Sequence, residues 1–192
     1  MDEKLFGERR QALEDSFFKK EEEKALSALK SKKAREESLR ELGSITGVKD
    51  QAVIQRLVDL GVTVETAAAM SLVPLVLVAW ADGEVDAKEK AAVMEAAAQS
   101  GITTASPAFE LLQGWLARQP PSELEHTWAE YFAALASRLP EQDAHALGTE
   151  ILGRARRVAE TSGGILGLFQ RVSMAETSVL HHLEKVLLRI GG

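Results

Sequence analysis

The chain has 192 residues, 45% of them apolar, which excludes global disorder and suffices for a self-contained core. Cysteine is absent, so disulfides, thiolate nucleophiles and Cys-based zinc or iron–sulfur sites are excluded. A net charge of −6 argues against a nucleic-acid binder, and 5% aromatics with abundant Ala and Leu favour helices over a β-sandwich.

Charge divides the chain in two. Residues 1–43 carry 11 acidic and 11 basic side chains, whereas residues 44–192 carry 18 and 12, so the whole net charge lies in the second part. This pattern predicts a charged helical arm over 1–43 followed by a helical globule over 44–192. Met1-Asp2-Glu3-Lys4 opens directly on charge, which sets the cytoplasm as the expected address. Glu, Lys, Ala, Leu and Arg fill the arm, and Glu21–Lys24, Lys32–Glu36 and Glu36–Arg40 pair opposite charges at helical spacing. Phe6, Leu13 and Phe17 share a stripe, but Lys30 to Glu37 offers only Ala34, so no long heptad repeat is sustained. Two readings stand. The arm docks on its own globule through Phe17 and Phe18, or it binds a partner or a second copy.

Beyond a linker at Gly43 to Lys49, punctuation marks a run of helices. Asp50 caps a short helix stopped at Gly61, and Thr63 starts an apolar helix reaching about Trp80. Thr66 to Ala81 has no charge, but sixteen residues interrupted by Pro74 are too few to span a bilayer. Asp86 opens the next helix and Gly101 ends it; Ser106-Pro107 starts another, closed by Pro120-Pro121. Ser122 with Glu125, and Ser173 with Glu176, have the capping-box spacing, and Pro140 opens the helix between them. No alternating strand pattern occurs, so the expected class is all-α, an antiparallel bundle of about seven helices after the arm.

One corner concentrates charge: Asp82, Glu84, Asp86 and Glu89 lie within eight residues. Asp82-Gly83 followed by Glu89 matches the second half of an EF-hand loop, yet the first and third ligand positions fall on Val78 and Trp80, which rejects it. Oxygen ligation of Mg²⁺, Mn²⁺ or Ca²⁺ by the four carboxylates remains one reading. The other is structural, because Asp86 and Glu89 are what a capping box requires and Asp82-Gly83 is a turn signal. Val172-Ser173-Met174-Ala175-Glu176 repeats the pattern of Val85-Asp86-Ala87-Lys88-Glu89 after 87 residues, suggesting two related helix–turn–helix halves.

Pro74-Leu75-Val76, Ala79-Trp80-Ala81-Asp82-Gly83-Glu84-Val85-Asp86 and Glu89 resemble the TerB-like family of tellurite-resistance proteins, as do Ser162 to Leu168 and Val172 to Glu176. The resemblance covers about 50–185. It implies a helical bundle with no established enzymatic activity, acidic residues proposed to bind cations (here Asp82, Glu84, Asp86 and Glu89, with Glu176 in the second half), and a role in stress or envelope-linked assemblies. Gln170-Arg171 stands where a second Asp-Gly would complete the symmetry. More faintly, Arg9 to Phe18 is similar to the opening of helical ATP synthase inhibitor subunits.

Catalytic sets are incomplete. Glu123 and His126 form one Glu-x-x-His unit, but a carboxylate-bridged metal oxidase needs a second. His181 and His182 fall at the edge of the last helix's apolar stripe, and Arg154, Arg156 and Arg157 read as a solvated face. No P-loop, nucleophile elbow or zinc-protease motif occurs. Ile165, Leu166, Leu168 and Phe169 either close the bundle or offer an apolar patch to a protein or a membrane surface. The expected function is a cytoplasmic interaction module that binds a protein partner through Phe17 and Phe18 and this loop. The alternatives are a divalent-cation binder and, third, the metal oxidase.

Overall fold

Several helices begin where a capping side chain satisfies the first amides or a proline occupies the first turn. The computed structural model describes the backbone of residues 2–162 and 172–189, and the side chains of residues 19–161 and 172–188. Among the described residues the regular structure is entirely helical: α1 (Asp2–Thr46), α2 (Gln51–Asp59), a 3₁₀ turn (Ala67–Leu72), α3 (Val73–Ala79), α4 (Ala87–Gln99), α5 (Pro107–Ala117), α6 (Glu123–Ala136), α7 (Glu141–Ser162) and α8 (Met174–Arg189). The all-α expectation holds.

The chain divides into two units, residues 1–40 and 41–192. In the first, every side chain from Lys19 to Glu37 is exposed, and Lys24–Glu21 at 2.9 Å is one of the pairs flanking its surface. The expected linker at Gly43 to Lys49 is a correction: α1 continues to Thr46, and only Gly47 to Asp50 is irregular. A buried Leu42 and the Thr46 hydroxyl, donating to the Leu42 carbonyl at 2.6 Å, carry the helix through Gly43. It stops at Gly47, whose φ of 65° is left-handed, and Arg138 Nη1 donates to the freed Thr46 carbonyl at 2.8 Å. A methyl group on Gly47 would overlap the Arg138 guanidinium. Gly47→Ala is therefore expected to cost about 1–2 kcal/mol in chemical denaturation, from backbone strain plus displacement of Arg138.

In the second unit α3 packs against the 3₁₀ turn and against α4, α5, α6, α7 and α8. Val73, Leu75, Val76, Val78 and Ala79 are fully buried there, which places the core along this short element. The single helix expected from Thr63 to Trp80 is broken, and two local causes explain it. The Thr66 hydroxyl accepts from the Thr63 amide at 2.7 Å and donates to the Gly61 carbonyl at 3.2 Å, holding residues 61–66 in turns. Pro74 then sits in the first turn of α3, the position where its missing N–H costs nothing; inside a continuous helix its ring would meet the Met70 carbonyl.

Caps at Asp50, Asp86 and Ser106 form as expected. The capping box at Ser122 and Glu125 does not. Ser122 has helical angles (φ −57°, ψ −25°), and the Leu124 amide already bonds the Pro121 carbonyl at 3.0 Å. The turn thus starts before Ser122, whose hydroxyl bonds the Glu123 carboxylate at 3.2 Å instead of an amide.

Candidate functional site

The acidic corner follows α3. The Trp80 indole N–H donates to the Trp115 carbonyl at 2.7 Å, tying the end of α3 to α5. Gly83 (φ 94°) turns the chain, and Asp82 Oδ1 accepts from the Glu84 amide at 3.2 Å, an Asx turn. Asp86 Oδ1 then accepts from the Lys88 and Glu89 amides at 2.7 and 2.8 Å, and Glu89 Oε2 accepts from the Asp86 amide at 2.8 Å. This is a complete capping box, and with the Asx turn it leaves three of the four carboxylates engaged on backbone donors.

Its partner corner has the same design. The Ser173 amide donates to Glu176 Oε2 at 2.6 Å, and the Glu176 amide donates to Ser173 Oγ at 3.1 Å. Both capping glutamates, Glu89 and Glu176, are only 3% exposed. Burial pushes the Glu89 carboxyl up to about 7; the Asp86 amide hydrogen bond opposes this, and the charges of Asp86, Asp82 and Glu176 reinforce it. The two boxes are therefore within electrostatic reach of each other. The repeat of the Val-cap-x-x-Glu pattern was the sequence signal for this pairing, although it carried no information that both glutamates are buried.

Asp82, Glu84 and Asp86 are exposed, whereas Glu89 is buried. Among the described residues no three His, Asp or Glu side chains are placed to hold a metal ion. The Asx turn and the capping box direct Asp82, Asp86 and Glu89 onto amides, which is the structural one of the two readings of this corner.

The Glu-x-x-His unit is likewise superficial. Glu123 is exposed, and His126, with 72% of its side chain accessible, lies 3.4 Å from Glu130 on the next turn. Glu130 also pairs with Arg56 of α2. The geometry of a bundle-interior metal centre is not there, because the helix presents Leu124, Thr127 and Trp128 inward instead. His182 Nε2 reaches Glu125 at 2.9 Å and joins α8 to α6, while His181 and Arg156 both approach Glu184. Arg156, His181 and Glu184 line an open groove of about 580 Å³ along α7 and α8, together with Met174 and Leu180. Arg154 is engaged by Glu150 and Ser100, both at 2.6 Å.

Of the expected partner-binding residues, Phe17 and Phe18 lie on α1 with side chains outside the described residues, and Ile165, Leu166, Leu168 and Phe169 lie outside them altogether. Leu29, one of the arm's sparse apolar positions, is 63% exposed on α1, and Leu26, which no sequence motif singles out, is 51% exposed. No protein-family model, curated protein or solved structure matches the chain.

Proposed function

We propose that this chain is a TerB-like interaction module without catalysis, working in the cytoplasm in a stress-response or envelope-linked assembly and contacting a protein partner through its arm. The observation that carries this reading is the contrast between its two units. Residues 41–192 build a core around α3 and spend their capping carboxylates on backbone amides, although Ile45, Val64, Leu139, Met174 and Leu188 stay exposed there. The arm instead buries no side chain from Lys19 to Glu37 and leaves Leu26, Leu29 and a dense set of charges exposed. A helical stretch that buries no side chain from Lys19 to Glu37 gains little from tertiary packing, so a contact made elsewhere gives its sequence a physical purpose. No helix among the described residues is long and apolar enough to cross a membrane.

Site-specific photocrosslinking in the source cells tests the reading. A photoreactive residue at Leu29 of the full chain should yield a discrete protein adduct, identified by mass spectrometry. The same residue at exposed Thr149 on α7 serves as the control. Equal, diffuse labelling from both positions would contradict the proposal.

A further inference from the structure

We infer that the arm's contact is with a second copy of this chain, in an antiparallel pairing centred between Ser27 and Ala28. The inference rests on the arm being a contact surface, as proposed above, and names what it contacts. Lys19, Glu22, Leu26, Leu29, Lys33 and Glu36 are spaced alternately three and four residues apart, so they form one continuous seam along α1. Its centre is apolar and both ends are charged. Among the described residues, Glu22 and Lys33 enter no ion pair within the chain, whereas off-seam Glu21 and Lys24 pair at 2.9 Å, off-seam Glu37 and Arg40 at 3.8 Å, and the seam's outermost Glu36 lies 4.0 Å from Lys32.

The order of these charges selects the orientation. In a parallel, in-register pair every seam residue meets its own kind, Glu22 against Glu22 and Lys33 against Lys33, which is repulsive. An antiparallel pair about the stated centre sets Leu26 against Leu29 of the second copy. It also sets Glu22 against Lys33 and Lys19 against Glu36, each twice by the two-fold symmetry. Opposite charges then flank a four-leucine centre on both sides. Only the two leucines per chain bury apolar surface in the seam, so the pairing is small, reversible and salt-sensitive, with a dissociation constant on the order of 0.1 mM at low salt.

Sedimentation velocity of the full chain, from about 10 µM to about 1 mM, tests this. The mean mass should rise toward the dimer with concentration and fall back as salt is added. Glu22→Lys and Lys33→Glu should each weaken association about tenfold, because each creates two like-charge contacts. Both positions are exposed, so folding is unaffected. An equimolar mixture of the two variants should regain wild-type association, since the introduced lysine of one chain meets the introduced glutamate of the other. A mass that stays monomeric at the highest concentration, single variants that associate like wild type, or a mixture no tighter than its components would each overturn the inference. A monomeric chain whose Leu29 crosslinker still captures a different protein retains the interaction reading and removes only the self-pairing.

Discussion

Leu75→Ala is expected to lower the unfolding free energy by about 2–5 kcal/mol, near the top of the range for a single core truncation. Leu75 lies in the middle of α3 with no accessible surface. Elements on all sides of α3 contact it, namely the 3₁₀ turn and α4 through α8, so a cavity opened there cannot be closed by the shift of one neighbour. For a chain of this size the loss corresponds to a fall of roughly 5–15 °C in the melting midpoint. The matched truncation at an exposed leucine, Leu29→Ala, should change stability by less than about 0.5 kcal/mol in dilute solution. Urea denaturation of both variants checks the pair. A Leu75→Ala loss below about 1 kcal/mol would mean that α3 is not the centre of the core.

Glu89→Gln is expected to raise stability at pH 8 by about 1–3 kcal/mol while leaving it nearly unchanged at pH 4.5. The folded-state carboxyl titrates at about 7, above its ordinary 4.5, chiefly because it is buried. Between those values the folded chain holds a proton that the unfolded chain has released. The associated stability is fully present below about 4.5 and is lost as pH rises through about 7. Glutamine keeps an oxygen to accept from the Asp86 amide, so the capping bond survives and only the buried charge is removed. Denaturation curves at several pH values should therefore show wild type and variant diverging as pH increases. Parallel pH profiles would contradict the burial of an ionising group at this position.

Local chemistry made much of this legible in advance. Asp86 with Glu89 and Ser173 with Glu176 are short-range devices, and both close as their spacing indicates. Ser122 with Glu125 has the same spacing and fails, because Pro121 begins the turn one residue too early for Ser122 to adopt a capping conformation. The uncharged stretch from Thr66 to Ala81 correctly marked the core but not its continuity, since composition does not register the Thr66 turn or the placement of Pro74. The acidic corner was visible as a charge cluster. Its meaning was not, because the distinction between ligand set and capping box depends on where each oxygen points. The Arg138 bond to the Thr46 carbonyl joins positions 92 residues apart, and nothing local announces it. The arm's seam is a different case: its spacing is plain in the sequence, but the exposure of Leu26 and Leu29 is what gives it significance.

The central claim is that the carboxylates after α3 cap the turn and the helix that follow it, and that Glu89 is buried within its capping box. Carbon-13 NMR titration of the Glu89 carboxyl, run with and without saturating Mg²⁺ or Ca²⁺, tests it most directly. A midpoint at about 7 that neither cation moves is the expected result. A midpoint near the ordinary 4.5, or one driven downward when the cation is added, would show the carboxylate facing solvent or a metal and would contradict the account.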